Sequence, residues 1–227
     1  EVFRDLNFAS AVFFNFLVSA MVFVGMVFLP ALSEGPLGYD ATLAGAVMAP
    51  RGFATLATMV AIRYVIDRID HRLLLFAGLV LTAAAFTAIS DIMFQHSAAW
   101  LAAASAVQGV GVGLLFTPLS TLAYATLDAP LRADAAGVYG LLRQLGSATG
   151  VAVMTAVLHA RNRTDLLDLL GGPTSPGDSV PAGLADMATL RAYADCFRSM
   201  ALAALVVTPG ILLFRIHRVD RAASTPG

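Results

Sequence analysis

Apolar residues run through this chain in long stretches of similar length, separated by short segments rich in Gly, Pro, Asp and Arg. Six stretches stand out, at about 7–32, 41–66, 73–94, 98–126, 133–159 and 195–214. A hydrocarbon core about 30 Å thick is crossed by roughly 20 apolar residues in a helix, so each stretch predicts one membrane-crossing helix. The pattern therefore predicts an all-α, polytopic membrane protein, with a six-helix bundle over 1–221, a loop at 160–194 and a tail at 222–227. Composition points the same way. Of the 227 residues 58% are hydrophobic and 13% charged, and the mean hydropathy is +0.78, outside the balance of a water-soluble domain.

Arginine sorts the links between the stretches, because links on the cytoplasmic side hold the excess of basic residues. The link at 63–72 carries Arg63, Arg68 and Arg72, that at 127–132 carries Arg132, and the tail carries Arg215, Arg218 and Arg221, whereas 33–40 and 95–97 carry none. Both ends of the chain are thereby expected in the cytoplasm and 160–194 outside. Every basic residue is Arg, which hints at a GC-rich bacterial genome, and the first residue is Glu1 rather than Met, so the chain is expected to be a fragment.

Candidate chemistry is sparse. Cys196 stands alone, and His71, His96, His159 and His217 fall at or near the ends of stretches, so no metal site is expected. A formal charge of −1 gives no basic surface from which to argue nucleic-acid binding. The sequon at Asn162 is taken as chance. An intramembrane enzyme would need a catalytic pair at depth, and neither H-E-x-x-H nor G-x-S-x-G occurs.

What does stand out is polarity at depth. Asn15, Arg51, Gln108, Thr117, Arg143 and Gln144 lie within the first, second, fourth and fifth stretches, while the third and sixth hold almost no polar group stronger than Thr at mid-depth. Polar groups inside a membrane face protein or water rather than lipid. The third and sixth helices are accordingly expected outermost, and the six polar residues are candidates for lining a substrate cavity.

The two halves also resemble each other. G-M-V-F-L-P at 25–30 and G-L-L-F-T-P at 113–118 share G-x-x-F-x-P, and Arg51 follows Gly45 by six residues just as Arg143 follows Gly137. Two units of three helices run in opposite senses across the bilayer, as in transporters built from inverted repeats. Both arginines are then expected near mid-depth. Each is either a fixed charge serving the cavity or a tie between helices. Pro50 and Pro118 mark expected kinks, and the spacings Gly109/Gly113 and Gly146/Gly150 are expected to let helices approach closely.

These segments resemble the C-terminal half of a major facilitator superfamily transporter of the fourteen-helix, EmrB/QacA type. The resemblance rests on G-Y-D-A-T-L-A-G at 38–45, A-P-R-G at 49–52, I-D-R-I-D-H-R-L-L at 66–74, Q-G-V-G-V-G-L-L-F-T-P-L-S-T at 108–121 and L-L-R-Q-L-G-S-A-T-G at 141–150. It implies two inverted three-helix repeats and export of amphipathic small molecules by proton-coupled alternating access. No cofactor beyond a proton gradient is implied. The expected partners are the bilayer of a bacterial inner membrane, an N-terminal portion of six to eight helices, a periplasmic adaptor and an outer-membrane channel. Arg63, Asp67, Arg68, Asp70 and Arg72 resemble a degenerate copy of the family's cytoplasmic link, which implies a gating latch. On the residues alone the link reads rather as a solvated, positive-inside turn, and a non-transporting or half-size membrane scaffold would share the same hydropathy.

Overall fold

A computed structural model describes residues 6–66, 69–93, 97–124, 131–170 and 181–213. Six helices occupy them: α1 (Leu6–Glu34), α2 (Ala41–Val65), α3 (His71–Ser90), α4 (Ala98–Tyr124), α5 (Arg132–Leu170) and α6 (Ala182–Val207). Short 3-10 segments follow α3 at Asp91–Met93 and α6 at Thr208–Leu213. No strand occurs among the described residues. Five of the helices, α1 to α5, are long and apolar enough to cross a membrane.

The helix starts follow from local chemistry. Asp40 precedes α2 and accepts a hydrogen bond from the Leu43 amide at 3.3 Å, and Asp70 precedes α3 and accepts from the Arg72 amide at 3.0 Å. Each carboxylate satisfies one amide that the first helical turn leaves without a partner. Between α1 and α2 the chain turns through Gly38, whose φ of +65° is a conformation that glycine adopts without steric cost.

Two boundaries differ from those the hydropathy predicts. Helix α5 continues past 159 to Leu170, 39 residues in all, or roughly 58 Å at 1.5 Å per residue. Helix α6 begins at Ala182, ahead of the expected 195. Of the expected loop at 160–194, residues 160–170 and 182–194 are thus helical, and 171–180 lie outside the described residues. Charge ended the apolar run at His159, but nothing between Val151 and Leu170 stops a helix. Gly and Pro are absent there until Gly171-Gly172-Pro173. In the extension Arg161 pairs with Asp195 at 3.7 Å and Thr189 donates to Asn162 at 3.5 Å, tying α5 to α6. Asn162 is thus half-buried within a helix, an unsuitable place for a glycan.

Helix α4 lies at the centre because glycine is placed on both of its faces. A Cβ built on Gly109 would collide with the backbone of Arg51 in α2, and one on Gly113 would lie 2.8 Å from Thr58. On the opposite face, a Cβ on Gly111 would come within 2.5 Å of Thr82 Oγ1 and 2.9 Å of the Gly78 carbonyl in α3. Helix α5 uses the same device against α1, where Cβ atoms on Gly146 and Gly150 would meet the backbones of Phe16 and Ala20. Exchange of the two repeats maps the α2–α4 pair onto α5–α1, so both close contacts are related by the repeat. The glycines of both contacts, however, sit on helices of the second repeat, α4 and α5.

Within this chain the helices are covered to different degrees. Of the most apolar 18-residue windows, 61%, 56% and 50% are buried in α1, α3 and α4, but 17% and 11% in α2 and α5. Helix α3 is held closely by Gly78 and Gly111 and is well covered. The faces of α2 and α5 stay open and carry large apolar side chains, Phe53, Leu56 and Val60 on one and Leu141, Leu145 and Val153 on the other.

Candidate functional site

The polar residues buried in the bundle converge on one face of α1. Arg51, 7% exposed, extends from α2 and donates from Nη2 to the Val22 carbonyl of α1 at 3.4 Å. Its own carbonyl accepts from the Thr55 hydroxyl at 2.9 Å, which also lies 3.0 Å from the Gly109 carbonyl of α4. One turn toward the helix start, Ser105 of α4 donates to the Val47 carbonyl of α2 at 2.6 Å. Gln108, with no exposed surface, reaches α1 from the other side. A Cβ on Gly25 would lie 2.5 Å from its Nε2. Farther along α1, Asn15 donates from Nδ2 to the Tyr139 carbonyl of α5 at 3.2 Å, and Ser19 is fully buried between.

Asn15, Arg51 and Gln108 are therefore brought to one helix face, as interior residues of the bundle. Arg143 and Gln144 are not. Both are exposed on α5, and the Arg143 guanidinium lies over the Phe116 ring with 5.6 Å to its centroid. The two arginines matched by the repeat thus have different surroundings, one enclosed by protein and one on an open helix face. Thr117 is half-buried, and its carbonyl accepts from the Ser120 and Thr121 hydroxyls at 2.9 and 3.0 Å. Pro50 and Pro118 both lie inside their helices, which continue through them.

Of the link at 63–72, Asp67 and Arg68 lie outside the described residues. Arg63 is exposed and sits over the Tyr64 ring at 5.0 Å, Asp70 caps α3, and Arg72 is half-buried. Two cavities occur beside Phe13. One of about 330 Å³ is lined by Ser10, Phe14, Leu17, Val206 and Gly210, the other of about 360 Å³ by Ala9, Val12, Phe16 and Leu142. Neither is lined by Arg51, Gln108, Arg143 or Gln144.

Ser19, Thr55 and Ser105 were not singled out from the sequence. Their signal was there, since Ser19 follows Asn15 by four residues and Gln108 follows Ser105 by three, spacings that put small polar groups on a common helix face.

Comparison with known proteins follows this geometry. Residues 1–159 match the family model described as Major Facilitator Superfamily. The chain is 26% identical over 160 residues to Multidrug resistance protein Stp of Mycobacterium tuberculosis, covering 70% of the chain and 29% of that protein. It is 26% identical over 163 residues to Multidrug export protein EmrB of Haemophilus influenzae, covering 71% and 32%. It is 29% identical over 162 residues to Fatty acid resistance protein FarB of Neisseria gonorrhoeae, again covering 71% and 32%. The chain spans about a third of the length of the curated relatives it matches.

Proposed function

The chain belongs to the Major Facilitator Superfamily, and from that membership we propose that it is the C-terminal six-helix bundle of a secondary transporter exporting amphipathic small molecules, drugs among them, in exchange for protons. Relatives named for multidrug resistance, multidrug export and fatty acid resistance support this substrate class. One structural observation carries the reading: α2 and α5, both of membrane-crossing length, leave apolar faces open while α1, α3 and α4 are covered. Small positions lie along them. A Cβ on Gly45, Gly52, Gly137 or Gly140 would meet nothing, so a second helical body could approach closely. Alternating access then consists of these faces rocking against that body, with substrate between them.

Orientation follows from the arginine-bearing links, with both ends of the chain cytoplasmic in a bacterial inner membrane. The exposed Arg143 is a fixed charge toward the substrate path, and the 63–72 link biases one access state. The test is efflux of a panel of amphipathic dyes and drugs from exporter-deficient cells expressing the full-length protein. Extrusion that stops when a protonophore collapses the gradient is expected. Retention of every compound, or extrusion that survives the protonophore and follows ATP, would overturn the proposal in favour of a scaffold or a different energy source.

A further inference from the structure

Besides Tyr139 Oη, five polar atoms inside the bundle find no protein partner among the described residues: Asn15 Oδ1, Ser19 Oγ, Arg51 Nη1, and Gln108 Oε1 and Nε2. They belong to four side chains, none more than 7% exposed. Their placement is not scattered. Asn15 and Ser19 are one turn apart on α1, Arg51 is anchored at the Val22 carbonyl three residues on, and Gln108 abuts Gly25 three residues beyond that. Steps of four, three and three residues keep to one side of a helix, so the unpartnered atoms follow a line of roughly 15 Å.

We infer that this line is a hydrated site: ordered waters held by Asn15, Ser19, Arg51 and Gln108 where α1 meets α2, α4 and α5. Buried polar groups in folded proteins are almost always hydrogen-bonded, to protein or to ordered water. Here protein cannot supply the partner from outside, because these atoms are enclosed by the chain's own helices, out of reach of lipid and of any body packed on the open faces of α2 and α5. Both cavities beside Phe13 lie elsewhere. The chemistry of the line also suits water. Arg51 Nη1 only donates, Asn15 Oδ1 only accepts, and Ser19 and Gln108 do both, so waters making about three hydrogen bonds each can join them. A buried guanidinium with a single long bond to a carbonyl is thereby solvated without a carboxylate. Because water contacts re-form readily, α1 can shift against α2 and α4 without leaving these groups unpaired.

The experiment uses the purified full-length protein in lipid nanodiscs. Removing a dry, unpaired polar group relieves a penalty, whereas removing a water-bridged one leaves its neighbours unsatisfied. Hydration predicts that Ser19→Ala and Gln108→Leu each lower the thermal midpoint, by roughly 2–4 °C. Hydroxyl-radical footprinting of the unaltered protein supplies a readout that does not depend on variant folding. Radicals generated from bound water should oxidise Phe86, which is fully buried with Cε1 2.8 Å from where a Gly25 Cβ would lie, and spare the equally buried Phe8. A midpoint that rises in both variants, or Phe86 protected as fully as Phe8, would overturn the inference. Neither readout involves transport, so the site can fail while the transporter assignment stands, and the reverse.

Discussion

The Thr55 hydroxyl on α2 lies 3.0 Å from the Gly109 carbonyl on α4, a hydrogen bond from a side chain of one helix to the backbone of the other, within reach because Gly109 has no side chain. A Cβ there would run into the Arg51 carbonyl group, and backbone cannot move aside as a flexible side chain can. Gly109→Ala is therefore expected to cost about 1–3 kcal/mol through overpacking. Thr55→Val keeps the volume and removes one hydrogen bond, a loss of about 0.5–1.5 kcal/mol. Thermal unfolding in detergent should rank the two in that order. The reverse order would mean that the close approach of α2 and α4 is not set by Gly109.

Asp70 offers a choice between a cap and a charge. Its carboxylate accepts from the Arg72 amide at the start of α3, a role that asparagine performs equally well. Asp70→Ala should lower stability by about 0.5–2 kcal/mol and Asp70→Asn by only a few tenths. Equal losses in the two variants would return Asp70 to the electrostatics of the link.

The ion pair between α5 and α6 is expected to matter little. Arg161 and Asp195 are 3.7 Å apart with side chains 59% and 40% exposed, and pairs of that kind contribute about 0–1 kcal/mol. Asp195→Asn should leave the unfolding midpoint nearly unchanged in low and high salt alike. A salt-dependent fall would show that the extended hairpin of α5 and α6 relies on charge more than on packing.

How much of this was legible in the sequence depends on the kind of signal. Helix count follows from apolar length, a local property, and the close contacts at Gly109/Gly113 and Gly146/Gly150 follow from spacing. The end of α5 was misplaced because hydropathy marks where a membrane stops rather than where a helix stops, and Arg161 to Leu170 contain no residue that breaks one. The close packing of α3 on α4 was not legible, because it depends on Gly111 meeting Gly78 and Thr82, a contact between residues about 30 apart that no local pattern announces. The polar line on α1 was half legible. Asn15, Arg51 and Gln108 were conspicuous by polarity, but only the fold could show that they point inward while Arg143 does not.

That divergence yields the sharpest expectation. Arg51 and Arg143 occupy equivalent positions in the two repeats, yet Arg51 is 7% exposed and bonded to the Val22 carbonyl, while Arg143 is exposed with its guanidinium over Phe116. A buried arginine that joins α2 to α1 contributes to the fold, since its removal leaves the Val22 carbonyl and neighbouring polar groups short of a donor, at about 1–3 kcal/mol. Arg51→Gln should thus lower the amount of folded protein in the membrane and lower transport in proportion. Lysine can place a charge near Val22 but lacks the planar fork of five donors, so Arg51→Lys should recover protein only in part. Arg143 carries little of the fold, and Arg143→Gln should leave membrane levels and thermal midpoint near those of the unaltered protein while transport falls; Arg143→Lys, keeping the charge, should retain much of it. Quantifying membrane protein and efflux together separates the two roles. Normal transport in Arg143→Gln would remove the functional charge from the proposed substrate path, and undiminished folded protein in Arg51→Gln would show that the bond to Val22 is not a structural tie.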